Sequence, residues 1–533
     1  MRIGWAAVVA LGWVIGCSDD NNGNAPGTEG GPCYPNGTCN TGLTCASNVC
    51  VRFQAPDGAA PDGAVSDAPA SEGPIQDSVK PDAPTGDAVV GEAAPLDGGE
   101  GLVADALPDA MQCQSNTDCD DGLACTTDVC SAGGCVNAIA GGFCVIDGTC
   151  RTGGTVNPAV PCQKCDPAKS PTTWYPDACW VSISGAPTRE RHTVTLLTDG
   201  RVLITGGWTT DPQSAQNTFH STALVYSPTT GQFAAAGQMS AARADHTATL
   251  LQDGRVLVTG GRNAAGYLQS TELYDPQKPA AQAWSAGPGM AQSRWSHSAT
   301  MLQSGDVLVA GGFHAVDSIA TIAVYKPSSN SWVTPAALLT EARRGHTATR
   351  LKGGKVLFAG GIQGTGSIWN TTYLDTLEVY DPVVGTMTKS KAVMSKQRAG
   401  HTSTLLPTGK VFIVGGVCLN NCKSGALQVD DLYDPAADAI TPRAHAGDLP
   451  STHVAVLLKD GRVLVAGDID AADYANVFAY DPVGALWTTM PSLAVGRWSP
   501  GGTLLKDGSV FVVGGVTSAS PYTYANTAER FYP

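Results

Sequence analysis

One stretch, RADHTATLLQDGRVLVTGG at Arg243–Gly261, occurs in recognisable form seven times, and it constrains the fold more than any other feature. The other copies open at Arg189, Arg294, Arg343, Arg398, Pro450 and Arg497, at intervals of 47 to 55 residues. Each copy reads as a strand such as HTATLL, a short turn containing Gly, and a strand such as RVLVTGG. The turns Asp199-Gly200, Asp253-Gly254 and Asp507-Gly508 are strong hairpin signals. Six copies close on a glycine pair, as at Gly260-Gly261, and the copy at Pro450 closes on Gly467-Asp468. A pair without Cβ atoms suits a chain reversal or a close approach of neighbouring backbone. A variable loop follows, and then a third strand ending in Tyr-Asp-Pro or a variant, at Tyr226, Tyr274, Tyr325, Tyr380, Tyr433 and Tyr480. Pro stops the ladder there, and Asp or Ser favours the turn. A fourth strand often carries Trp, as at Trp284, Trp332 and Trp487. Four antiparallel strands repeated radially make a β-propeller.

The period near 50 residues, the diglycine, the later Tyr and the still later Trp together resemble the kelch repeat. The fold class expected is all-β: a seven-bladed kelch-like propeller over residues 178–533. The last copy stops at Phe531-Tyr532-Pro533 without a fourth strand. Ahead of the first copy lies a spare strand, Ala178–Ser184, with Trp180 in the fourth-strand role. If this piece completes the last blade, closure removes the two free edges of an open array.

The N-terminal third is built differently. Residues 1–17 have a positive Arg2, an apolar run Ile3–Ile15 and the sequence Val14-Ile15-Gly16-Cys17. The run is short for a membrane span and reads as a signal peptide. Its end resembles the bacterial lipoprotein box, which implies cleavage before Cys17, lipidation of that thiol, and an extracytoplasmic place at the outer membrane or cell surface. Residues 18–53 hold four Cys in a short module, and 113–177 open with the same five-five-four Cys spacing. The second module resembles Cys-rich repeats of surface proteins in myxobacteria and their relatives. The chain has 17 Cys. Apart from Cys17 they fall in even clusters, as completed disulfides in an oxidising compartment would. Asn116, Asp118, Asp120 and Asp121 invite a calcium reading, but the spacing does not fit an EF-hand loop, and polar turns between disulfides are the expectation. Between the modules, residues 54–112 contain nine Asp, three Glu and one Lys, a net charge of −11 out of −15 for the whole chain. With almost nothing apolar to bury, this linker is expected to be disordered and kept extended by its charges and Pro; a flexible chain of its length would have ends about 45 Å apart, and a fully extended one would reach several times that. The acidity therefore belongs to the linker, and no basic surface suggests a nucleic-acid partner.

His192, His246, His297, His346, His401 and His453 recur at one equivalent position. A catalytic site needs different groups converging on one point, so these rings are expected to hold their own blades together. The ring of Arg residues three places earlier has two readings. Some could pair with Glu272, Glu378, Asp431 or Glu529 in the third strands; alternatively Arg243, Arg294, Arg343 and Arg398 could offer a positive channel mouth to an acidic ligand. The loops after the glycine pairs emerge on the same face as the blade-to-blade loops. Measured from the pair to the Tyr, they take 12 or 13 residues in blades 2, 3 and 6, and 17 to 19 in the others. The longer loops carry Trp208, Trp369, Tyr373 and Tyr524, expected as exposed aromatics at a binding face. Cys418 and Cys422 are expected to cross-link their own loop.

The wording HTATLLxDGRVLVxGG also resembles the central propeller of galactose oxidase and related copper-radical oxidases. That resemblance implies a copper site with a Tyr-His pair, a Cys cross-linked to Tyr, and a ligand His from a following β domain. No Tyr-His dipeptide is present, and no domain is expected after the seventh blade. No catalytic residue, cofactor or metal is expected. The reading is a lipid-anchored, monomeric, non-catalytic display protein for protein or glycan partners, with a copper-oxidase relative or a structural envelope protein as the alternatives.

Overall fold

The computed structural model describes residues 44–46, 49–51, 113–160, 162–366, 370–418, 429–444, 452–467, 475–519 and 521–533. The chain divides into two units, Met1–Ala110 and Met111–Pro533. In the first, Thr44–Ala46 and Val49–Val51 form a small antiparallel hairpin with Cys45 opposite Cys50. The leader, Cys17 and the acidic linker lie outside the described residues.

The second unit begins with three two-stranded hairpins, Thr126–Ser131 with Gly134–Ile139, Phe143–Ile146 with Thr149–Thr152, and Gln163–Asp166 with Ser170–Pro176. Cys144, Ile146 and Cys165, with Trp174 against them, make the small core of these hairpins. So little apolar surface needs covalent support. It comes from five disulfides: Cys113–Cys130, Cys119–Cys135, Cys125–Cys150, Cys144–Cys165 and Cys162–Cys179. The acids considered for calcium cap turns instead. Asp118 accepts from the N–H groups of Gln114 and Ser115, Asp120 from Gly122, and Asp121 from Leu123.

The repeats form seven four-stranded antiparallel sheets. Blade 2 is typical, with strands Thr247–Leu250, Val256–Thr259, Thr271–Tyr274 and Trp284–Ala286 in order from the axis outward. The inner strands pack side by side in a closed ring. Every second strand is buried throughout, as in Val256–Thr259 and Val510–Val513. Neighbouring blades cover both of its faces, so its sequence is a continuous apolar run instead of an alternation. Each of the seven junctions between blades has its own apolar cluster. The Tyr before the third turn faces the preceding blade: Tyr226 stacks on Phe511 with ring centroids 4.4 Å apart, and Tyr480 on Phe412 at 4.1 Å. The fourth-strand Trp does the same through its indole N–H, which donates to a carbonyl of the preceding blade, Trp284 to Ala236 and Trp332 to Pro288.

Blade 7 closes as its sequence predicts. Gly501–Leu504, Val510–Val513 and Thr527–Tyr532 are completed by Cys179–Ser184, with Phe531 opposite Trp180. Trp180 donates to Pro491 O of blade 6, the same contact that its counterparts make. The Cys162–Cys179 bond fixes the first residue of this closing strand to the Cys-rich module.

The glycine pair has a specific cause. A Cβ on Gly260 would lie 2.5 Å from the carbonyl oxygen of Arg294 and 2.9 Å from the His297 ring, both in the next blade. The N–H of Gly261 donates to that same Arg294 carbonyl at 2.8 Å. Only a residue without a side chain lets one blade approach the next this closely.

Candidate interaction face and channel

The six Arg side chains that open the repeats are buried. Arg243, Arg343, Arg398 and Arg497 pair with Glu272, Glu378, Asp431 and Glu529 at 2.5 to 3.1 Å. Each also donates to the carbonyl of the first Gly of its own repeat, as Arg243 does to Gly260 at 2.9 Å. Blades 1, 3 and 6 have Leu224, Ala323 and Phe478 where blades 2, 4, 5 and 7 have the acid. Arg189 and Arg294 are therefore held by carbonyls and Thr hydroxyls alone, and burial lowers both to about 10. Of the two readings of this ring, the geometry displays the pairing; Arg243, Arg294, Arg343 and Arg398 turn into the blades and do not line an open mouth.

The His residues join blades instead of bracing their own. The Nε2 of His246 lies 3.2 Å from Thr193 and Thr205 of blade 1, and that of His401 lies 3.0 Å from Thr347 of blade 4. The spacing of the motif places the ring correctly, but the strand geometry points it backward, against the preceding diglycine.

Between Arg and His stands a residue that the repeat pattern alone does not single out. Arg191, Asp245, Ser296, Gly345, Gly400, Thr452 and Ser499 all have positive φ, between 51° and 65°. Their backbones are linked around the axis: Asp245 N–H donates to Arg191 O, Ser296 to Asp245, Gly345 to Ser296, Gly400 to Gly345, and Ser499 to Thr452. This collar is the neck of the channel. Arg191 and Asp245 are its two charged members, 3.7 Å apart, and Asp245 also accepts from Arg262 at 2.7 Å.

Around the neck rises a crown of small hairpins, one after each glycine pair in blades 1, 2, 3, 4 and 7. The residue after the ring Arg pairs with the residue after the diglycine, giving Glu190 with Trp208, Ala244 with Arg262, Trp295 with Phe313, Arg344 with Ile362 and Trp498 with Val516. The side chains at these roots make a continuous stack. The guanidinium of Arg262 sits 4.4 Å from the Trp208 ring and 4.2 Å from the Trp295 ring. Trp295 meets Phe313 at 5.5 Å, and Arg344 lies 4.7 Å over Phe313. Arg344 is locked by bonds to Ser318 Oγ and Gly364 O, and burial lowers it to about 10. Burial raises Glu190, and it raises Tyr524 to about 12.

The expected exposed aromatics are placed otherwise. Trp208 and Tyr373 are each only 5 % exposed. Trp208 packs edge-on to Phe219 at 5.3 Å. Tyr524 is half-buried, and its hydroxyl accepts from the Thr210 N–H at 2.7 Å across the blade 7–blade 1 junction. Trp369 and Cys422 lie outside the described residues; Cys418 is disulfide-bonded. Among the described residues of these loops the exposed aromatic is Tyr267, in one of the short loops. It is 40 % exposed and stacks on Trp295, with Phe313 edge-on at 6.0 Å. Val316, 72 % exposed, tips the next hairpin. The signal in the sequence was the residue after each ring Arg, which varies among Glu, Ala, Trp and Arg while the Arg before it repeats.

A family model described as the KLHDC2/KLHL20/DRC7 Kelch-repeats domain matches residues 191–416. These residues are kelch repeats. Kelch-like protein 35 of Mus musculus is 25% identical over 261 residues, covering 49% of this chain and 41% of that protein. The chain thus spans less than half the length of that relative. Among solved structures, a fungal alcohol oxidase described as of the AA5 family, in complex with copper, matches with a TM-score of 0.53 at 18% identity, over 67% of this chain and 76% of that one. At that identity the likeness concerns the fold.

Among the described residues, the repeats hold no group of three or more His, Cys, Asp or Glu ligand atoms close enough to share a metal ion. Among the described residues, the groups of three or more His, Cys, Asp or Glu ligand atoms lie in the Cys-rich module, as Cys113, Cys119 and Cys130, all in disulfides, and as Asp120, Asp121 and Asp128. The repeat histidines are spread around the axis and buried between blades. No step through a metal follows from this arrangement.

Proposed function

We propose that this chain is a protein-binding module that presents the crowned face of a kelch propeller to a protein partner. The observation that carries the reading is the exposure of Tyr267, stacked on Trp295 of the Trp208–Arg262–Trp295–Phe313 stack, and of Val316 on the hairpin that carries Phe313. A rigid aromatic on a fixed base binds at low entropic cost, which is why such residues dominate protein interfaces. Kelch repeats support the protein-interaction role in general; the partner is not implied by them. The resemblance of Val14-Ile15-Gly16-Cys17 to a lipoprotein box supports display at a membrane surface, with the acidic stretch as spacer. The five disulfides fit an oxidising compartment.

Cross-linking on intact cells tests the binding face. Wild type, a Tyr267→Ala/Val316→Asp double variant and a Val383→Asp control should be compared. Loss of the same cross-linked species in the double variant alone supports the reading, and equal cross-linking in all three overturns it. A Cys17→Ala variant should leave the membrane fraction; if it stays there, the anchor is elsewhere.

A further inference from the structure

The opposite end of the channel has a chemistry that the crown does not share. Six of the seven inner strands end there on an aliphatic residue: Leu196, Leu250, Met301, Leu405, Leu457 and Leu504. Blade 4 ends on Arg350, the one charged side chain in the seven inner strands. It is exposed, and among the described residues it makes no hydrogen bond or ion pair.

Two residues further on, each blade contributes to a second collar: Thr198, Gln252, Gln303, Lys352, Pro407, Lys459 and Lys506. Six of these side chains lean on the turn glycine of the following blade, as Lys459 does on Gly508 and Lys506 on Gly200. The three lysines are exposed, and each ammonium donates to a backbone carbonyl of the next turn: Lys352 to Pro407 O, Lys459 to Lys506 O at 2.8 Å, and Lys506 to Thr198 O. These bonds fix the positions of the ammonium groups without neutralising them. A carbonyl takes one of three N–H groups and leaves the charge intact.

The carboxylates nearby are engaged elsewhere. Asp199 pairs with Arg201 at 2.7 Å, Asp253 with Arg255 at 2.6 Å, Asp460 with Arg462 at 2.7 Å, and Asp507 with Arg530. Asp199 also feels Lys506, but its short contacts are to Arg201. The turn after Arg350 reads Lys352-Gly353-Gly354-Lys355 and contains no acid; Lys355 pairs with Asp381 of the third strand. Among the described residues, four cations without a carboxylate in ion-pair contact, from blades 4, 6 and 7, therefore flank one opening, in a chain whose formal net charge is −15.

We propose that this lower mouth of the channel binds a ligand with clustered phosphate groups. Several fixed charges around a ring match an anion that carries several charges of its own, and bonds from ammonium and guanidinium groups to phosphate are strong. A single carboxylate would satisfy only one of them. The phosphates could belong to a soluble polyphosphate or to lipid headgroups, and the chemistry at the collar is the same.

The test uses the full chain with inorganic tripolyphosphate, and separately with phosphatidylcholine vesicles containing phosphatidic acid. Arg350→Leu restores the residue found in five other blades and should fold. It should weaken binding about tenfold, and Arg350→Leu/Lys352→Gln should abolish it, while Lys278→Gln on the outer rim changes nothing. Binding should weaken with salt. Tripolyphosphate binding identifies a soluble ligand, and vesicle binding alone identifies a lipid headgroup. Failure to bind either probe, or equal binding by the double variant and Lys278→Gln, overturns the proposal.

Discussion

The Nε2 of His297 lies 3.1 Å from the Oγ1 of Thr247, a residue of the preceding blade. The same nitrogen is 3.0 Å from Thr259. This bond is repeated around the ring by His246, His346, His401 and His453. Burial first, and the neighbouring Arg second, hold His246, His297 and His401 well below 6.5 and His346 near 3.

A pH dependence follows. These rings are neutral in the folded chain and take up a proton on unfolding whenever the pH is below about 6.5. The unfolded state then binds more protons, so stability is full above that pH and falls as pH drops toward 3. Each ring contributes at most about 1.4 kcal/mol per pH unit. Denaturant titrations between pH 7 and pH 4 should show this slope, and His297→Asn should flatten it by up to one proton. An unchanged slope would place the acid sensitivity elsewhere.

The pair Arg343 and Glu378, at 2.5 Å and with neither side chain exposed, should be costly to halve. Removing one partner of a buried ion pair typically costs about 3–5 kcal/mol. Arg294 survives without an acid because two carbonyls and the Thr321 hydroxyl hold it. Arg343 has equivalent carbonyls at Gly360 and Thr376. Glu378→Ala is therefore expected at the low end, about 3 kcal/mol by urea unfolding. Glu272→Ala, in the equivalent site of blade 2, should cost a similar amount. A loss below 1 kcal/mol in Glu272→Ala would show that the carbonyls suffice, since Arg343 keeps a second carboxylate, Glu341, at 3.2 Å.

These two features also mark what the sequence can and cannot disclose. The strand order, the seven blades and the closing strand with Trp180 follow from repeated turns, glycines and aromatics, because those residues act locally. The direction of a side chain is less legible. His297 reads as a brace of its own blade, yet a left-handed step at Ser296 directs it to the blade before. Loop length shows how much chain leaves the scaffold, but not which residues fold back on it. Trp208 follows a glycine pair directly, so it pairs with Glu190 and is drawn under the crown, while the short loop of blade 2 leaves Tyr267 exposed.

Arg262 should be the keystone of the crown. Its guanidinium lies between Trp208 and Trp295 and donates to Asp245. A partly desolvated contact of this kind contributes about 0.5–2 kcal/mol per ring. Arg262→Ala should lower stability and change the indole emission of the two Trp residues. Arg262→Lys should not restore it, since an ammonium cannot stack flat between two rings. Full rescue by Lys would reduce the interaction to charge alone.

The junction of blades 7 and 1 breaks the repeat, and its packing explains how. Where blades 1 to 5 offer Thr or Ser to the next His, blade 7 has Gly501, and neither nitrogen of His192 has a side-chain hydrogen-bond partner among the described residues. Gly501 does not have positive φ, so its reason is space. A Cβ there would collide with the Cγ2 of Val194 and lie 2.8 Å from His192 Nε2. Val194 occupies a position that is Ala in blades 2, 3, 4 and 6, so its extra bulk fills what Gly501 leaves open. On the other side, a Cβ on Gly502 would meet Val454, which replaces the usual Thr. Restoring the repeat with Gly501→Thr alone should therefore destabilise by about 1–3 kcal/mol through overpacking, although it supplies the hydroxyl that His192 lacks. Adding Val194→Ala makes room for the hydroxyl, and the double variant should recover most of the loss, a coupling of at least about 1 kcal/mol in a double-mutant cycle. Additive effects of the two substitutions would mean that Val194 and Gly501 are not each other's complement.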